Sequence, residues 1–244
     1  MSGRSPAAKG WIMGNDMMDV EQLATYLQRD VREVNKMASR GYLPGQKVSG
    51  QWRFARVEIN HWIETQMPSY SEEELTALEA HGAQSEDPWL ASLLSPACIS
   101  VPLPATTRGS VLRELVKAAE QTWQVYDPHA ILEAIRQREQ LRSTALPNGV
   151  AIPHPHRPLP AALGESLVAY GRTASPIPFG APNGNLTDIF FLVCCRDDRT
   201  HLRVLARLSR LLLRPDFLDQ LRAAETPQAT WEVIHKAEQD LPNA

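Results

Sequence analysis

Apolar residues in the first quarter of the chain repeat with the three-to-four-residue spacing of amphipathic helices. Asp19 and Asp30 each precede such a repeat and can cap a helix. The residues expected to face inward in three short helices are Leu23, Tyr26 and Leu27, then Val31, Val34 and Met37, and finally Ile59, Trp62 and Ile63. Before the third helix, residues 43–54 contain the turn Ser49-Gly50, which predicts a β-hairpin. Residues 17–67 are therefore predicted to form one small module.

From about residue 93 to residue 240, helical repeats alternate with short apolar runs. Helices are expected to begin near Ser110, at Asp127-Pro128 and at Thr226-Pro227, and to cover 200–213 and 215–224. Strands are expected at 150–152, 166–172 and 187–195. The last strand is apolar throughout, which is typical of a strand covered on both faces. Alternating helices and strands predict an α/β domain.

Two stretches lack these periodic patterns. Residues 1–16 are small and polar, which predicts a flexible tail. Residues 68–92 carry a run of acidic side chains and no lysine or arginine, and they are interpreted as an acidic linker. Ser71 followed by Glu74 is a capping-box pattern, so a short helix is expected within this linker.

Composition narrows the function classes. The formal net charge is −3, so DNA binding would have to depend on a local basic patch. The three cysteines include an adjacent pair in an apolar run, which favours reduced, buried thiols and a cytoplasmic protein. The longest apolar run, 189–195, is far shorter than the roughly 20 residues of a membrane span. No membrane association is expected.

One histidine has the setting of a nucleophile. His154 follows a short predicted strand and lies between Pro153 and Pro155, which restrict its backbone. A neutral imidazole can attack a phosphorus atom, and a guanidinium can hold the oxygens of the transferred group. Arg138 and Arg142 are the candidate guanidiniums.

Two further histidines are candidates for the same site. His201 lies at the predicted start of a helix, where backbone N–H groups attract anions, and it could donate a hydrogen bond to the phosphoryl group. His156 lies two residues after His154 and is a candidate auxiliary phosphate ligand. His-x-His can also chelate a metal, but no carboxylate or thiol completes such a site at motif spacing. Neither a metal nor a cofactor is expected.

This arrangement resembles the phosphotransferase-system enzyme IIA domain of the fructose–mannitol type, including its nitrogen-regulatory branch. The residues that carry the resemblance are Arg138-Glu139, Ser143-Thr144, 148–154, the strand 187–193 and His201-Leu202-x-x-Leu205-Ala206-x-Leu208. The resemblance covers about residues 93–240 and implies a mixed sheet flanked by helices. It also implies that His154 is the phosphorylated residue, Arg138 a phosphate-orienting arginine and His201 the second active-site histidine. Ser143 and Arg142 are candidate auxiliary phosphate ligands.

The chain departs from the family pattern at two positions. Pro155 follows the active histidine where the family usually has a small residue, most often glycine. Pro147 also stands where the family usually has glycine. Both prolines bear on how a phosphodonor would approach His154.

Residues 17–67 resemble the excisionase/MerR-like winged helix-turn-helix modules. The resemblance rests on 18–20, Leu23-Ala24-x-Tyr26-Leu27, Asp30-Val31-x-x-Val34, 41–44, 52–54 and Glu58-Ile59-x-x-Trp62-Ile63. It implies that the second helix enters the major groove of DNA and that the hairpin lies against the backbone. The implied DNA contacts are Arg32, Asn35, Lys36 and Arg40 in the groove, with Lys47, Gln51 and Arg53 on the wing. A module used for protein contact is the alternative, since Glu33 would repel phosphate.

These features predict a phosphocarrier-type regulator. His154 would accept phosphate from a histidine-phosphorylated carrier protein, and the phosphorylation state would influence binding to double-stranded DNA or to a regulatory protein target. A homodimer would strengthen DNA binding by contacting two half-sites. The alternatives are a transcription regulator whose IIA-like domain is a sensor that is not phosphorylated, and a sugar-transport IIA component.

Overall fold

The computed structural model describes residues 17–80 and 90–242. The chain divides into two compact units, Met1–Thr65 and Gln66–Ala244. The predicted flexible tail, 1–16, lies outside the described residues. Within the described ranges, none of the helices combines the length and apolar character that crossing a bilayer requires.

The first unit contains a three-stranded antiparallel sheet and three helices. Its elements are β1 (Met17–Met18), α1 (Val20–Leu27), α2 (Val31–Ser39), β2 (Gln46–Val48), β3 (Gln51–Ala55) and α3 (Arg56–Gln66), the last of which crosses the unit boundary. The strand order is β1-β3-β2. Asp19 and Asp30 cap α1 and α2 as predicted, with Asp19 Oδ1 accepting from Gln22 N at 2.8 Å. The predicted hairpin is also present.

The turns and core of this unit follow from a few residues. Gly41 (φ +73°) and Gly50 (φ +81°) take left-handed conformations, which glycine adopts without steric cost, after α2 and inside the hairpin turn. Leu23, Phe54 and Ile59 are fully buried at the centre of the unit. The prediction that Val31 faces inward is wrong, because Val31 is 41% exposed. The buried positions of α2 are Val34 and Ala38, and Val31 lies at the first helical position, about one turn before Val34.

The second unit is a mixed sheet surrounded by helices, as predicted. Its elements are α4 (Glu72–Ala80), α5 (Leu90–Leu93), β4 (Ile99–Leu103), α6 (Arg108–Ala119), α7 (Pro128–Leu141), β5 (Val150–Ala151), β6 (Leu167–Ile177), β7 (Thr187–Cys194), α8 (Asp198–Leu212), α9 (Phe217–Ala223) and α10 (Pro227–Gln239). The strand order is β4-β6-β7-β5. β4 runs parallel to β6, β6 antiparallel to β7, and β5 parallel to β7.

The centre of this sheet forms the core of the unit. Every residue from 167 to 171 on β6 and from 189 to 194 on β7 is buried, so both faces of the two central strands are covered. Tyr170 and Phe191 are direct cross-strand partners, and their rings meet edge to face with centroids 5.1 Å apart. β7 lies between β6 and β5, which is the interior position that its apolar sequence predicts.

In the second unit, two of the three predicted N-cap residues are confirmed. Asp127 and Thr226 cap α7 and α10, and each is followed by proline. The prediction that Ser110 caps α6 is wrong. Thr107 is the cap, and Ser110 is the third helical residue, whose hydroxyl completes a capping box by accepting from Thr107 N at 2.9 Å. Threonine and serine can each serve as the N-cap or as the third residue of a capping box. The sequence alone therefore did not distinguish a helix that starts after Thr107 from one that starts after Ser110.

The structure differs from the prediction that 68–92 is a linker. The Ser71–Glu74 capping box forms, and it opens α4, which packs against α8. Leu75 and Glu79 of α4 are buried, and Glu79 pairs with Arg207 and Arg210 at 2.6 Å each. Residues 72–80 therefore belong to the larger unit. Residues 81–89 lie outside the described residues.

Candidate active site

His154 is delivered to the site by the short strand β5. Val150 and Ala151 pair with Ile189 and Phe190 of the interior strand β7, and Val193 N donates to Pro153 O at 3.0 Å. Hydrogen bonds to β7 therefore fix the backbone from Val150 to Pro153, the residue before His154. His154 itself is only 4% exposed, which leaves a small accessible surface for a reacting group.

The imidazole of His154 is oriented by its own backbone. Nδ1 lies 2.7 Å from the carbonyl oxygen of Ile152. A carbonyl oxygen can only accept a hydrogen bond, so Nδ1 carries the proton, and in the neutral ring the lone pair is on Nε2. Nε2 is therefore the ring atom of His154 that can act as a nucleophile.

His201 is brought next to His154 by the start of α8. Its ring centroid lies 5.0 Å from that of His154, with the two planes inclined by 60°. His201 is buried and lies in the first turn of the helix, which Asp197 caps by accepting from Thr200 N at 2.8 Å. The positive end of the α8 dipole is thus located at the two histidines, where it would favour an added negative charge.

Arg138 lies in the last turn of α7 and is 4% exposed. Its Nη1 donates to the carbonyl of Arg142 at 2.9 Å, which holds the loop that follows the helix. That loop pairs in turn with β5, since Ile152 N donates to Thr144 O at 3.3 Å. A short chain of backbone contacts therefore connects Arg138 to the segment that carries His154.

Glu139 anchors the same loop, although the sequence suggested no role for it. It is buried, accepts from Thr144 N at 3.1 Å and also accepts from the Thr144 hydroxyl. Arg108, at the start of α6, pairs with its other carboxylate oxygen at 2.5 Å. Glu139 appears in the family motif, but Arg108 lies 31 residues away, and no sequence pattern joins the two.

The remaining candidate phosphate ligands lie in different environments. Ser143 Oγ donates to Phe179 O at 2.9 Å and accepts from Ala145 N at 3.2 Å, so this hydroxyl is committed to backbone. Arg142 is exposed at the C-cap of α7, and His156 is half-buried. Of the two unusual prolines, Pro155 is buried, and Pro147 offers its carbonyl to Asn183 and Asn185.

The predicted DNA-contacting residues of α2 share one surface property. Arg32, Asn35, Lys36 and Arg40 are all exposed. Asn35 Nδ2 donates to Val31 O at 3.1 Å, within its own helix. Glu33, the acidic residue of this helix, forms an i,i+4 ion pair with Arg29, so part of its charge is compensated locally.

The wing residues are organised by a tryptophan. The ammonium of Lys47 lies 5.2 Å from the ring centroid of Trp52, across the β2–β3 pair. Arg53 donates to Trp52 O at 3.3 Å and to Gln51 Oε1 at 3.0 Å. Lys47 and Trp52 thus share one face of the hairpin, while Gln51 and Arg53 lie on the other face.

Comparisons with known proteins give the same division of the chain. The family model described as "Phosphoenolpyruvate-dependent sugar phosphotransferase system, EIIA 2" matches residues 92–237, and the model described as "Helix-turn-helix domain" matches residues 17–67. A nitrogen regulatory protein of Bradyrhizobium diazoefficiens is 35% identical over 148 residues, which make up 59% of this chain and 94% of that protein. The fructose-specific EIIABC component of Bacillus subtilis is 28% identical over 149 residues, or 60% of this chain and 23% of that protein.

Two solved structures share the fold. The nitrogen regulatory protein IIA-Ntr from Neisseria meningitidis superposes with a TM-score of 0.54 at 23% sequence identity, covering 59% of this chain and 97% of that one. The complex of enzyme IIAMtl and phosphorylated enzyme IIBMtl from Escherichia coli contains a chain that superposes with a TM-score of 0.51 at 17% identity, covering 59% of this chain and 99% of that one.

Proposed function

Because the chain belongs to the phosphoenolpyruvate-dependent sugar phosphotransferase EIIA 2 family, we propose that it accepts a phosphoryl group on Nε2 of His154. IIA domains of this family are phosphohistidine phosphotransferase components. The observation that carries the assignment to Nε2 is the contact between Nδ1 of His154 and the Ile152 carbonyl at 2.7 Å, which places the ring proton on Nδ1 and the lone pair of the neutral ring on Nε2. The donor would be a histidine-phosphorylated carrier protein.

The transfer requires alignment and charge stabilisation more than covalent chemistry. The Nε2 lone pair of His154 attacks the phosphorus atom, and the bond between phosphorus and the donor nitrogen breaks. The electron pair of that bond returns to the donor imidazole, so neither partner needs to gain or lose a proton. In the product, the proton on Nδ1 stays hydrogen-bonded to the Ile152 carbonyl and stabilises the charged ring.

Two neighbouring groups would stabilise the transferred phosphoryl group. His201, with its ring centroid 5.0 Å from that of His154, would donate a hydrogen bond from its ring. Arg138 would place a guanidinium beside the phosphoryl oxygens, and Arg142 and His156 would be auxiliary ligands. Ser143 is the weakest candidate in this set, because its hydroxyl already serves the backbone of Phe179 and Ala145.

The helix-turn-helix match at 17–67 supports regulation as the purpose of the transfer. The phosphorylation state of His154 would alter binding to double-stranded DNA, or to a regulatory protein target, through the first unit. A homodimer would bind two half-sites of the DNA. Relatives of the IIA-like part include both nitrogen regulatory proteins and sugar-specific components, and the additional module favours regulation over sugar transport.

The direct test is incubation with phosphoenolpyruvate, enzyme I and the carrier protein, followed by intact-mass measurement. We expect a single added phosphoryl group that is labile in acid and stable in alkali, and that is absent from a His154→Ala variant. His156→Ala serves as the matched control, because it removes a neighbouring imidazole of the same loop, and it should still be labelled. Equal labelling of His154→Ala and the parent protein would overturn the assignment.

A further inference from the structure

The turn that ends α6 carries an unusual residue. Trp123 has a left-handed backbone, with φ +61°, and its N–H donates to Glu120 O at 3.2 Å to close the helix end. This conformation suits glycine or asparagine and is strained for a large side chain. The Trp123 side chain is 87% exposed, so the strain is not offset by burial within the chain. A tryptophan at this position therefore contributes little to folding.

A second exposed aromatic residue follows three positions later in the chain, and hydrogen bonds to the backbone hold it in place. Tyr126 is 67% exposed, and its N–H donates to Ala162 O at 2.8 Å. Gly164 N donates to Gln124 O at 2.8 Å, which ties the same turn to the segment after His154. A Cβ at Gly164 would lie 2.5 Å from the Tyr126 hydroxyl, so the absence of a side chain there lets the tyrosine rest against the backbone.

The surroundings of this aromatic turn, residues 120–127 with 164–165, are negatively charged. Carboxylates are supplied by Glu120, Asp127 and Glu165. Two cations near the turn already have partners: Lys117, in the last turn of α6, lies 3.5 Å from Glu114, and Arg196 Nη1 donates to Gly164 O at 2.8 Å. An open cleft of about 810 Å³ adjoins the turn, and its lining includes Thr122, Gln124, Pro160, Glu165, Arg196 and Asp197.

We propose that the aromatic turn and its cleft are a docking site for a basic segment of a partner protein, with Trp123 as the anchor. An arginine or lysine side chain can stack on an exposed indole while nearby carboxylates balance its charge. Tryptophan, tyrosine and arginine are the residues enriched at the energetic centres of interfaces. The carboxylates disfavour nucleic acid, anionic lipid and a second copy of the same acidic patch.

This docking site goes beyond the proposed phosphoryl transfer, because it uses none of the residues assigned to that reaction. The full-length protein would be titrated with a synthetic twelve-residue peptide of alternating arginine and glycine, and with the matching glutamate–glycine peptide. We expect binding of the arginine peptide alone, weakened at least tenfold in a Trp123→Asn variant. Tyr42→Ala, which removes another exposed aromatic residue at 61% exposure, should bind like the parent.

Thermal unfolding and His154 labelling complete the test. Asparagine tolerates the left-handed backbone, so Trp123→Asn should melt at the same temperature as the parent or higher and should be labelled at the same rate. Equal peptide affinity of Trp123→Asn and the parent would overturn the proposal, as would equal binding of the glutamate–glycine peptide and the arginine–glycine peptide. A melting temperature several degrees lower would show that Trp123 serves packing, and would also overturn it. Loss of labelling in the parent would contradict the phosphocarrier function alone.

Discussion

At the scale of single residues, Arg138 connects the fold to the proposed chemistry. Its guanidinium donates to the Arg142 carbonyl at 2.9 Å, and in the proposed reaction it would also orient the oxygens of the phosphoryl group. We expect Arg138→Ala to slow phosphorylation of His154 about tenfold or more, because a lost charge-assisted contact of a few kcal/mol has this effect on a rate. The rate of labelling, followed by intact mass, is the measurement.

Arg138→Lys is the matched variant, since it keeps the charge but loses the two parallel hydrogen bonds. It should react at a rate between those of the parent and the alanine variant. Melting temperatures of both variants separate a chemical effect from unfolding. An unchanged labelling rate in a folded Arg138→Ala protein would assign Arg138 to holding the 142–146 loop only.

The sequence pattern predicted that His154 follows a short strand, but it did not predict the orientation of the imidazole ring. A short strand followed by Pro153 and Pro155 indicates a histidine held at a strand end. The Nδ1 contact with Ile152 depends on the backbone angles between the two residues, which residue identity does not specify. The anchoring of Glu139 by Arg108 was also not predictable, because it joins two helices.

At the scale of elements, the docking of α4 onto α8 depends on buried charge. Glu79 is 2% exposed and lies 2.6 Å from both Arg207 and Arg210. Removing one partner of a buried ion pair leaves uncompensated charge, which typically costs about 3–5 kcal/mol. We expect Glu79→Ala to lower the free energy of unfolding by an amount of this order, measured by urea denaturation of the full chain.

Glu72→Ala provides the control for this prediction. Glu72 lies on the same helix but is exposed, so its removal should change the unfolding free energy by about 0.5 kcal/mol or less. If both variants unfolded at the same urea concentration, the ion pairs of Glu79 with Arg207 and Arg210 would not be what holds α4 against α8.

Two elements show why the sequence prediction was incomplete. The acidic run around α4 is typical of a solvated segment, and the partners of Glu79 lie about 130 residues further along the chain. β4 was not predicted, because Pro102 interrupts its short apolar pattern. β4 lies at the edge of the sheet, where a proline is tolerated because one side of the strand needs no donors. By contrast, β7 was predicted correctly, because a short, uninterrupted apolar run is typical of a strand in the interior of a sheet.

At the scale of the whole molecule, the chain joins a family phosphocarrier domain to a helix-turn-helix module. We expect salt-sensitive binding to double-stranded DNA, with log K falling with log salt at a slope of about three to five, because a small module neutralises few phosphates. Arg53→Ala should weaken binding to all sequences alike, since the wing would contact the phosphate backbone rather than the bases. Asn35→Ala should relax sequence preference, because asparagine can pair with adenine once it releases Val31 O.

Selection from random duplexes with the full chain, with and without phosphorylation, measures both effects. Enrichment that differs between the two states would support a regulator that responds to phosphate. If no sequence were enriched in either state, the module would be assigned to protein contact. An equal affinity of the parent and Arg53→Ala for random DNA would remove the hairpin from the interface.

The burial of the three cysteines affects how readily their thiols can be oxidised. Cys98, Cys194 and Cys195 are free and buried. Burial raises the pKa of Cys98 to about 11 and that of Cys194 to about 12, so both are uncharged thiols near neutral pH. Oxidants and alkylating reagents react with the exposed thiolate. Oxidation of these thiols therefore requires local opening of the sheet, at β7 for Cys194 and Cys195 and at the start of β4 for Cys98.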